Sequence, residues 1–467
     1  MMVTTVSRSI KAFLIPHVKL LLEMGHKVDV ATQVEGDIGL PDGVRVFDIP
    51  FSRSPLDPSN MKAFFLLRRI LKEGGYHLLH LHNPVASFVG RVASWGIEGL
   101  KVLYTAHGFY FYRGAPLLNW LIYYPLEFLA ARLTDALITI NAEDHERALS
   151  LPLRGGGRVF LVDGVGVDIS RFRPPSPEER SRAREELGLL EDHFVMLCVG
   201  ELNRNKNQTL LVKAMGRLRA KVPRAVLLLA GDGPARESLL KEVEGSGLRE
   251  RVRLLGHVAE VQRLLWASDL ALSASLREGL PVNVMEAMAC ALPVVASDCR
   301  GNRDLVRDGE NGFLYRTNDL DGLVSAVERF YRDPNLRREM GLRGREMVRR
   351  FELGAILARM REIYEEILSQ APEDQGHALK PRQQQQGAVA PKGDPQGEAD
   401  QQEQGRGEKV KKGGSQGEQQ YGKGRQGGQA DLKELDQQGA KGEGEPPPHL
   451  GRDEKEAQKA REGGGEG

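Results

Sequence analysis

Short β-branched runs alternate with longer segments of helical periodicity, and this alternation occurs twice along the chain. The first series of strand-like runs covers residues 2–6, 27–31, 44–49, 77–81, 101–105, 136–140 and 158–162. A second series follows a proline-rich stretch at 171–177 and covers residues 194–199, 225–230, 252–255, 270–273, 293–296 and 313–315. Strands joined by helix-length connections usually run parallel. The pattern therefore predicts an α/β protein with two doubly wound, Rossmann-like domains facing each other across a cleft.

The end of the chain differs in composition from the rest. Residues 371–467 hold 21 Gly and 17 Gln but only four Leu and two Val, with no Ile, Phe, Trp, Met or Cys. Such a segment cannot bury enough apolar surface to offset its loss of conformational entropy. We therefore predict a first domain at residues 1–173, a second domain with closing helices at 174–370, and a disordered tail at 371–467.

Charge and cysteine usage restrict the class of protein. The 65 basic and 64 acidic residues give a formal net charge of +1, which argues against a nucleic-acid binder. The three cysteines lack metal-ligand or redox spacing, which predicts reduced, structural thiols in a cytoplasmic protein. We expect neither a signal peptide nor a transmembrane segment, because polar residues and a proline interrupt the most apolar stretch, 115–133.

The most informative segment follows a predicted strand of the second domain. Glu278-Gly-Leu-Pro281 turns the chain into a helix, and a helix start with a glycine and a proline is a natural phosphate site. Glu286 lies just over one turn into that helix, where it can accept hydrogen bonds from a ribose diol. The alternative is that Glu278 caps the helix and Glu286 faces solvent, since capping is the commoner role of glutamate near a helix start.

This segment resembles the donor-binding signature of the retaining glycosyltransferases of family 4, which have the GT-B fold. The resemblance lies in the two glutamates, the Glu-Gly-Leu-Pro opening and the continuation Met-Glu-Ala-Met-Ala-Cys-Ala-Leu-Pro. The resemblance extends over about residues 1–370. It implies that Glu286 holds the ribose of a nucleotide sugar and that Glu278 lies beside the donor hexose and phosphate. The start of this helix itself predicts that Gly279, Leu280 and Pro281 contact the diphosphate of the donor.

The loop after the first strand of the second domain carries Lys206, which the resemblance assigns to the departing diphosphate, where negative charge grows. The sequence departs from the family at Glu201, where the general pattern has an arginine, and we expect Arg204 to supply the missing charge. A basic solvated loop is the alternative. Gly231 and Gly256 are predicted at the ends of the next two strands, on the nucleotide side, although a plain turn is an equally good interpretation of Gly231.

His107 is predicted just beyond a strand of the first domain, where the resemblance places the donor sugar. A lone histidine is more often structural, but a strand-end position in a parallel sheet favours a functional role. His80 and His82 alternate to one face at another strand end, either as polar rim residues or as part of an acceptor site. None of these histidines has metal-ligand spacing, so we expect no metal and no cofactor besides the donor substrate.

Residues 104–128 contain nine of the chain's 28 aromatic residues, more than one helix face can bury. Lys62, Arg68, Arg69 and Lys72 share one predicted helix nearby. Aromatic and basic side chains together favour contact with an anionic membrane or a pyrophosphate-linked lipid, and a solvated helix face is the alternative. We expect a cytoplasmic location or peripheral contact with the inner face of the plasma membrane.

The first predicted strand is short, because the loop at residues 4–9 follows the first residues almost at once, so we also expect a few residues of this strand to be missing.

The segments 104–116, Asn119-Trp120 and Ile140-Asn-Ala-Glu-Asp144 resemble bacterial exopolysaccharide or capsule glycosyltransferases. We therefore predict a retaining enzyme that moves a hexose or N-acetylhexosamine from a UDP-sugar to a polyprenyl-diphosphate-linked saccharide. His107 and Glu278 would position the sugar, while Lys206 and Arg204 stabilise the diphosphate. A sugar-nucleotide epimerase of related GT-B shape is one alternative, which the spacing of the two glutamates disfavours. A catalytically weakened scaffold of a polysaccharide assembly complex is the other.

Overall fold

The computed structural model describes residues 1–369 as two α/β lobes, each built on a parallel sheet. The first sheet has seven strands in the order β3-β2-β1-β4-β5-β6-β7. Its strands are β1 (Met2–Val6), β2 (Asp29–Gln33), β3 (Arg45–Asp48), β4 (Leu78–His82), β5 (Lys101–Ala106), β6 (Ala136–Thr139) and β7 (Arg158–Leu161). Every pairing is parallel, as the sequence pattern predicts.

The second sheet has six parallel strands in the order β10-β9-β8-β11-β12-β13. Its strands are β8 (Phe194–Val199), β9 (Ala225–Ala230), β10 (Val252–Gly256), β11 (Leu270–Ser273), β12 (Val294–Ser297) and β13 (Gly312–Tyr315). The predicted strands of both lobes are confirmed, and their ends differ by at most two residues. The prediction of two Rossmann-like sheets is therefore confirmed.

Helices connect the strands and cover both faces of each sheet. In the first lobe they are α1 (Ser7–Ser9), a π-helical turn (Ile10–Leu14), α2 (Ile15–Glu23), α3 (Ser59–Gly74), α4 (Pro84–Ser94), α5 (Leu117–Ala131) and α6 (Ala142–Ala148). The later helices are α7 (Pro177–Glu186), α8 (Gln208–Leu218), α9 (Arg236–Gly245), α10 (Val261–Ala267), α11 (Val282–Ala289), α12 (Asn302–Leu305), α13 (Leu320–Arg332), α14 (Pro334–Met347) and α15 (Leu353–Ser369). The predicted tail at 371–467 lies outside the described residues.

Both sheets reverse their strand order at one point, and this places the functional cleft. In the first sheet the chain moves outward from β1 to β3 and then returns to β4 on the other side of β1. The second sheet repeats this arrangement with β8 and β11. Ligands in open α/β sheets bind beyond the carboxyl ends of the strands at such a switch point. The loops that follow β4, β5, β8 and β11 are therefore the expected site.

The last helix does not stay with the lobe that precedes it in the sequence. Ile356, Met360 and Ile363 of α15 are buried in the same cluster as Val18 and Leu21 of α2, on the first sheet. Parallel pairing of Val167 with Glu352 brings the chain back across the cleft just before α15 begins. The apolar stripe of α15 thus completes the first lobe, although the predicted second domain extends to residue 370. The predicted domain boundaries themselves stay a prediction.

Two further expectations concern the described residues. None of the helices within residues 1–369 has both the length and the apolarity needed to cross a membrane. The three cysteines, Cys198, Cys290 and Cys299, are buried and unpaired. Burial raises the pKa of each thiol, to about 12 for Cys198 and Cys290 and to about 11 for Cys299. Their thiolate forms are therefore scarce, which agrees with a structural role.

The packing of α15 can be tested by shortening one side chain. Ile363 is 1% exposed, and Ile363→Ala should lower the free energy of unfolding by about 2–5 kcal/mol, because the cavity left behind adds to the lost burial. Urea denaturation measures the change. Glu365→Ala on the exposed side of the same helix is the matched control and should shift the free energy by less than about 0.5 kcal/mol. Equal stability of the two variants would show that α15 does not contribute to the first lobe's core.

Candidate active site

A cavity of about 610 Å³ lies between the lobes, beyond the carboxyl ends of the central strands. Seven of the ten predicted site residues line it: His107, Lys206, Glu278, Gly279, Leu280, Pro281 and Glu286. Arg204, Gly231 and Gly256 do not line it. The structure therefore brings together predicted residues of both lobes, whereas Arg204 and the two glycines at the ends of β9 and β10 lie outside the lining.

Lys206 and Glu278 form an ion pair on the second-lobe side of the cavity. Lys206 Nζ lies 2.7 Å from Glu278 Oε1, and the two side chains are 21% and 12% exposed. Burial lowers the pKa of Lys206, but the charge of Glu278 and its hydrogen bond outweigh this, so the pKa is raised above its ordinary value. The ammonium group is therefore charged at neutral pH.

The loops that carry this ion pair are tied to each other by hydrogen bonds. The Asn203 side chain accepts a bond from the backbone N–H of Lys206 at 2.9 Å. The Asn205 side chain donates to the carbonyl of Arg277 at 3.0 Å, and Leu276 donates its N–H to the carbonyl of Asn205 at 2.7 Å. These hydrogen bonds join the loop of Lys206 to the loop of Glu278, and they fix the backbone positions from which the two side chains meet.

The first turn of α11 forms the floor of the cavity. Pro281, Val282 and Asn283 all line it, and the Asn283 side chain donates to the carbonyl of Val199 at 2.8 Å. The preceding Gly279 lies so close to the first lobe that a Cβ atom there would sit 1.9 Å from the carbonyl oxygen of His107. Only glycine allows the two backbones to approach in this way. A helix N-terminus facing a cavity is suited to an anion.

Glu286 lines the cavity from the second turn of α11. Burial raises its pKa to about 7, and the positive charge of Arg171 offsets only part of this effect. No hydrogen bond or ion pair within residues 1–369 engages its carboxyl group. A carboxylate in this state can accept hydrogen bonds from a ligand, and its ribose-binding role stays a prediction.

His107 follows β5 and reaches the cavity from the first lobe. Its Nε2 shares a 3.0 Å hydrogen bond with Nδ1 of His82. Burial lowers the pKa of His107 to about 4, and His82 is shifted well below its ordinary pKa by burial and by neighbouring histidines. Both rings are therefore neutral at pH 7, which makes His107 a hydrogen-bonding group rather than a cation.

The other histidine at the end of β4 has a different environment. His80 is 1% exposed, with one ring nitrogen 3.0 Å from the Tyr364 hydroxyl and the other 2.8 Å from the Thr105 hydroxyl. Its side chain supports the junction between α15 and the first sheet. Neither His80 nor His82 is a surface rim residue, because His82 is also buried. Only His82 lines the cavity.

Arg204 was expected to supply the charge that the family pattern has at Glu201. Arg204 is exposed and lies outside the lining, whereas Glu201 lines the cavity mouth. Glu201 Oε1 lies 3.6 Å from Arg53 Nη1 of the first lobe, and both side chains are largely exposed. The departure from the family pattern at Glu201 is thus matched by a cation across the cleft. The stabilising role assigned to Arg204 stays a prediction that this position does not favour.

Nothing in the sequence indicates a pair of residues beside the cavity, Arg300 and Asp144, which form an ion pair across the cleft. Asp144 stands in the Ile140-Asn-Ala-Glu-Asp motif, but no local signal gave it a partner. Within the described part of the chain, no group of three or more His, Cys, Asp or Glu residues is arranged to hold a metal ion. The expectation of a metal-free site stays a prediction.

Comparison with known proteins gives the class to which this site belongs. The family described as Glycosyl transferases group 1 matches residues 179–347, and the Glycosyl transferase 4-like domain matches residues 18–162. The protein named Putative glycosyltransferase EpsD of Bacillus subtilis (strain 168) is 40% identical over 362 residues, which cover 77% of this chain and 94% of that protein. The chain therefore belongs to the family 4 glycosyltransferases of group 1, and it is an enzyme of the GT-B type.

Further relatives share this framework. A UDP-Gal:alpha-D-GlcNAc-diphosphoundecaprenol alpha-1,3-galactosyltransferase of Escherichia coli is 30% identical over 295 residues, covering 62% of this chain and 76% of that protein. The crystal structure of Anabaena HepE in complex with UDP and glucose superposes with a TM-score of 0.64 at 22% identity, covering 78% of this chain and 98% of that one. WaaG, a glycosyltransferase involved in lipopolysaccharide biosynthesis, gives a TM-score of 0.63 at 18% identity, covering 78% and 98%. These two structures confirm the GT-B fold.

The raised pKa of Glu286 gives a pH test of its ribose-binding role. Its carboxyl group is protonated below about pH 7, and a protonated carboxyl has less capacity to accept two ribose hydroxyls. The affinity for UDP-glucose should therefore fall by about fivefold to tenfold from about pH 8 to about pH 6. Calorimetric titration measures it, and UDP-glucose is used because its diphosphate has no proton to exchange in this range.

Glu286→Gln should weaken binding at about pH 8 by about 1.5–3 kcal/mol and remove most of the pH dependence. Glu237→Gln, at an exposed position of α9 outside the cavity, is the control and should change neither. A Glu286→Gln protein with parental affinity and pH profile would rule out the ribose assignment.

Proposed function

We propose that the protein is a retaining glycosyltransferase that moves a hexose or N-acetylhexosamine from a UDP-sugar to a polyprenyl-diphosphate-linked saccharide in exopolysaccharide or capsule biosynthesis. The observation that carries the proposal is the single cavity that holds the Lys206–Glu278 pair, the first turn of α11 and Glu286 opposite His107. Each of these groups suits one part of a nucleotide sugar: the diphosphate, the ribose and the hexose.

The donor is proposed from charge and from relatives. The Lys206 ammonium, which has donors left beyond its bond to Glu278, and the first turn of α11 can both donate hydrogen bonds to a diphosphate. The HepE crystals contain UDP and glucose, and the E. coli relative is named as using UDP-Gal. We therefore favour a UDP-sugar.

Retention of configuration is proposed as a front-face displacement. The bond between the anomeric carbon and the β-phosphate oxygen breaks, the acceptor oxygen bonds to the same face of that carbon, and the acceptor proton passes to the leaving phosphate. Lys206 would stabilise the charge that develops on this phosphate. Glu278 is already paired with Lys206 at 2.7 Å, so its charge is better suited to orienting the lysine and sugar than to attacking the anomeric carbon. The neutral His107 would hold a sugar hydroxyl.

The acceptor is proposed from relatives and from one exposed surface. The B. subtilis and E. coli relatives are named EpsD and a diphosphoundecaprenol galactosyltransferase. On α5, Leu117, Leu118, Leu121 and Leu129 are between 60% and 73% exposed. A lipid-linked acceptor requires the first lobe to approach the bilayer, and such an apolar helix face could insert at its interface.

The surface that carries the membrane proposal differs from the predicted aromatic cluster. Phe109 and Phe111 are buried, and Trp120, Tyr123 and Tyr124 pack against the same core. Arg68 is also engaged, because its Nη1 donates to the carbonyls of Ala93 and Trp95 at the end of α4, at 2.8 and 2.7 Å. The aliphatic face of α5 and the exposed cations Lys62, Arg69 and Lys72 of α3 therefore remain for the membrane.

The decisive experiment for the transferase proposal incubates purified protein with UDP-glucose, UDP-galactose and their N-acetylhexosamine analogues, with and without a short polyprenyl-diphosphate-linked saccharide. We expect UDP release with one donor, a disaccharide product, and retained anomeric configuration by NMR.

Lys206→Met should lower turnover by about a hundredfold to a thousandfold, because no ammonium group then stabilises the negative charge on the leaving phosphate. Lys213→Met, at an exposed position of α8, is the control and should retain parental turnover. A scaffold would show neither hydrolysis nor transfer, and an epimerase would change the donor sugar without transferring it.

The membrane proposal predicts a separate result. Leu118→Ser with Leu121→Ser should weaken binding to phosphatidylglycerol-containing vesicles by at least about tenfold, because two exposed side chains can no longer insert. Vesicle sedimentation measures it. Leu342→Ser, at a 51% exposed position of α14, is the matched control and should bind as the parent does. Parental binding by the double variant would exclude docking through α5.

A further inference from the structure

A buried ion pair crosses the cleft beside the cavity. Arg300 follows β12 in the second lobe, and Asp144 lies on α6 in the first lobe. Their side chains are 2% and 0% exposed, and Arg300 Nη1 donates to Asp144 Oδ1. Neither residue lines the cavity, so the pair does not face the donor directly.

The Arg300 guanidinium also bonds to both loops that carry the candidate catalytic residues. Its Nε donates to the carbonyl of Glu278 at 3.1 Å, and its Nη2 donates to the carbonyl of Phe109 at 3.0 Å. One planar group thus joins the second-lobe loop that holds Glu278 to the first-lobe loop that holds His107.

Asp144 completes the attachment on the first-lobe side. Its Oδ2 accepts a hydrogen bond from the Phe109 backbone N–H at 3.1 Å and another from the Asn141 side chain at 2.8 Å. Asn141 in turn caps α6, because its side-chain oxygen accepts a bond from the Asp144 N–H at 2.9 Å. Both carboxylate oxygens therefore have partners, as a buried charge requires.

The surroundings leave little freedom for another arrangement. Gly108 has φ of +138°, and a Cβ there would lie 3.0 Å from Arg300 Nη2. The ring of Tyr112 lies 5.0 Å from Arg300 Cζ. Backbone and aromatic groups of the first lobe thus enclose a side chain that belongs to the second lobe.

We propose that Arg300 and Asp144 are positioning residues, whose buried ion pair holds the His107 loop of the first lobe in register with the Glu278 loop of the second lobe. The inference rests on the proposed transferase function, since it assigns a role in assembling that same site. A buried pair of this kind contributes to the choice of one arrangement more than to net stability, because desolvation offsets much of its attraction. The guanidinium suits this role because its N–H groups form a rigid, planar fork.

Other ion pairs between these parts of the chain lack these properties. Arg53 and Glu201 are 61% and 45% exposed and lie 3.6 Å apart. Arg350 and Asp163 are 56% and 36% exposed. Exposed pairs contribute little to a defined geometry. Arg350→Gln is therefore a matched control in which another arginine–aspartate contact is lost.

Asp144→Asn is the principal test, because it keeps the size and the first-lobe hydrogen bonds of the side chain while removing the charge that faces Arg300. Donor turnover should fall by about a hundredfold, since misplacement of catalytic groups by about 1 Å has effects of this size. The affinity for UDP, measured by calorimetry, should stay within about twofold, since the groups assigned to the nucleotide lie in the second lobe. Arg350→Gln should leave both quantities at the parental level.

Arg300→Lys is the second variant and keeps the proposal testable if Asp144→Asn fails to fold. A lysine retains the charge but cannot bond to Glu278, Phe109 and Asp144 with one planar group. Arg300→Lys should also lower donor turnover and leave the affinity for UDP unchanged. Turnover within threefold of the parent in either folded variant, or a parallel loss of turnover and UDP affinity, would overturn the proposal.

Hydrogen–deuterium exchange separates this inference from the proposed function. If the parent binds UDP but transfers no sugar to any acceptor and hydrolyses no donor, the transferase proposal fails. The positioning role is then judged by exchange alone, in the full chain. Asp144→Asn should raise deuterium uptake at residues 107–112 and 276–282 together, and parental uptake at both segments would overturn the role. Arg350→Gln should leave both segments unchanged.

Discussion

The two lobes meet backbone to backbone where Gly279 lies against the carbonyl oxygen of His107. This contact decides the geometry of the cavity, because a side chain at that position would push the strand-end loops apart. The second-lobe loop at this contact carries Glu278, and the first-lobe loop carries His107. The positions of the Lys206 ion pair and of the first turn of α11 relative to the first lobe depend on this one close approach.

The charges around the cavity are arranged by burial as much as by composition. Lys206 keeps its proton because Glu278 compensates for the lost water, whereas His107 and His82 lose theirs because no carboxylate compensates them. Glu286 is shifted upward because burial acts on it almost alone. The cavity therefore presents the Lys206 ammonium together with its partner carboxylate Glu278 near the helix start, and neutral histidine rings on the facing wall. Glu278 takes one of the three ammonium donors, which leaves the others for a ligand phosphate.

Much of the fold and part of the site could be predicted from the sequence, since both depend on local patterns. Strand positions follow from short β-branched runs, and parallel order follows from helix-length connections. Glu278 and Glu286 stand in one short segment, so their spacing is visible without any tertiary information. Position beyond a strand end correctly indicated that His107 and Lys206 reach one cavity, but the same argument also selected Gly231 and Gly256, which do not line it.

The features that escaped prediction depend on long-range contacts. Arg300 and Asp144 lie 156 residues apart, and nothing in either neighbourhood indicates the other. Arg204 was expected to supply the charge that the family pattern has at Glu201, and the sequence does not show that its exposed position lies outside the residues that line the cavity. The apolar stripe of α15 predicts that the helix packs against a core, but the sequence does not indicate whether that core belongs to the first or the second sheet. Likewise, the aromatic residues near α5 were recognisable as a cluster, whereas the exposed leucines beside them were not.

The return of the chain to the first lobe at α15 has a consequence for engineering. The polypeptide crosses the cleft twice, once on leaving β7 and once before α15, so the first lobe consists of two separate pieces of sequence and the second lobe is one continuous segment between them. A chimera that exchanges the second lobe for that of a relative therefore needs two junctions, one in the segment after β7 and one near residue 352. A single fusion point would supply a foreign final helix to the native α2, and the mismatch would lie in the hydrophobic core of the first lobe, at residues that do not themselves line the cavity whose specificity the exchange was meant to alter.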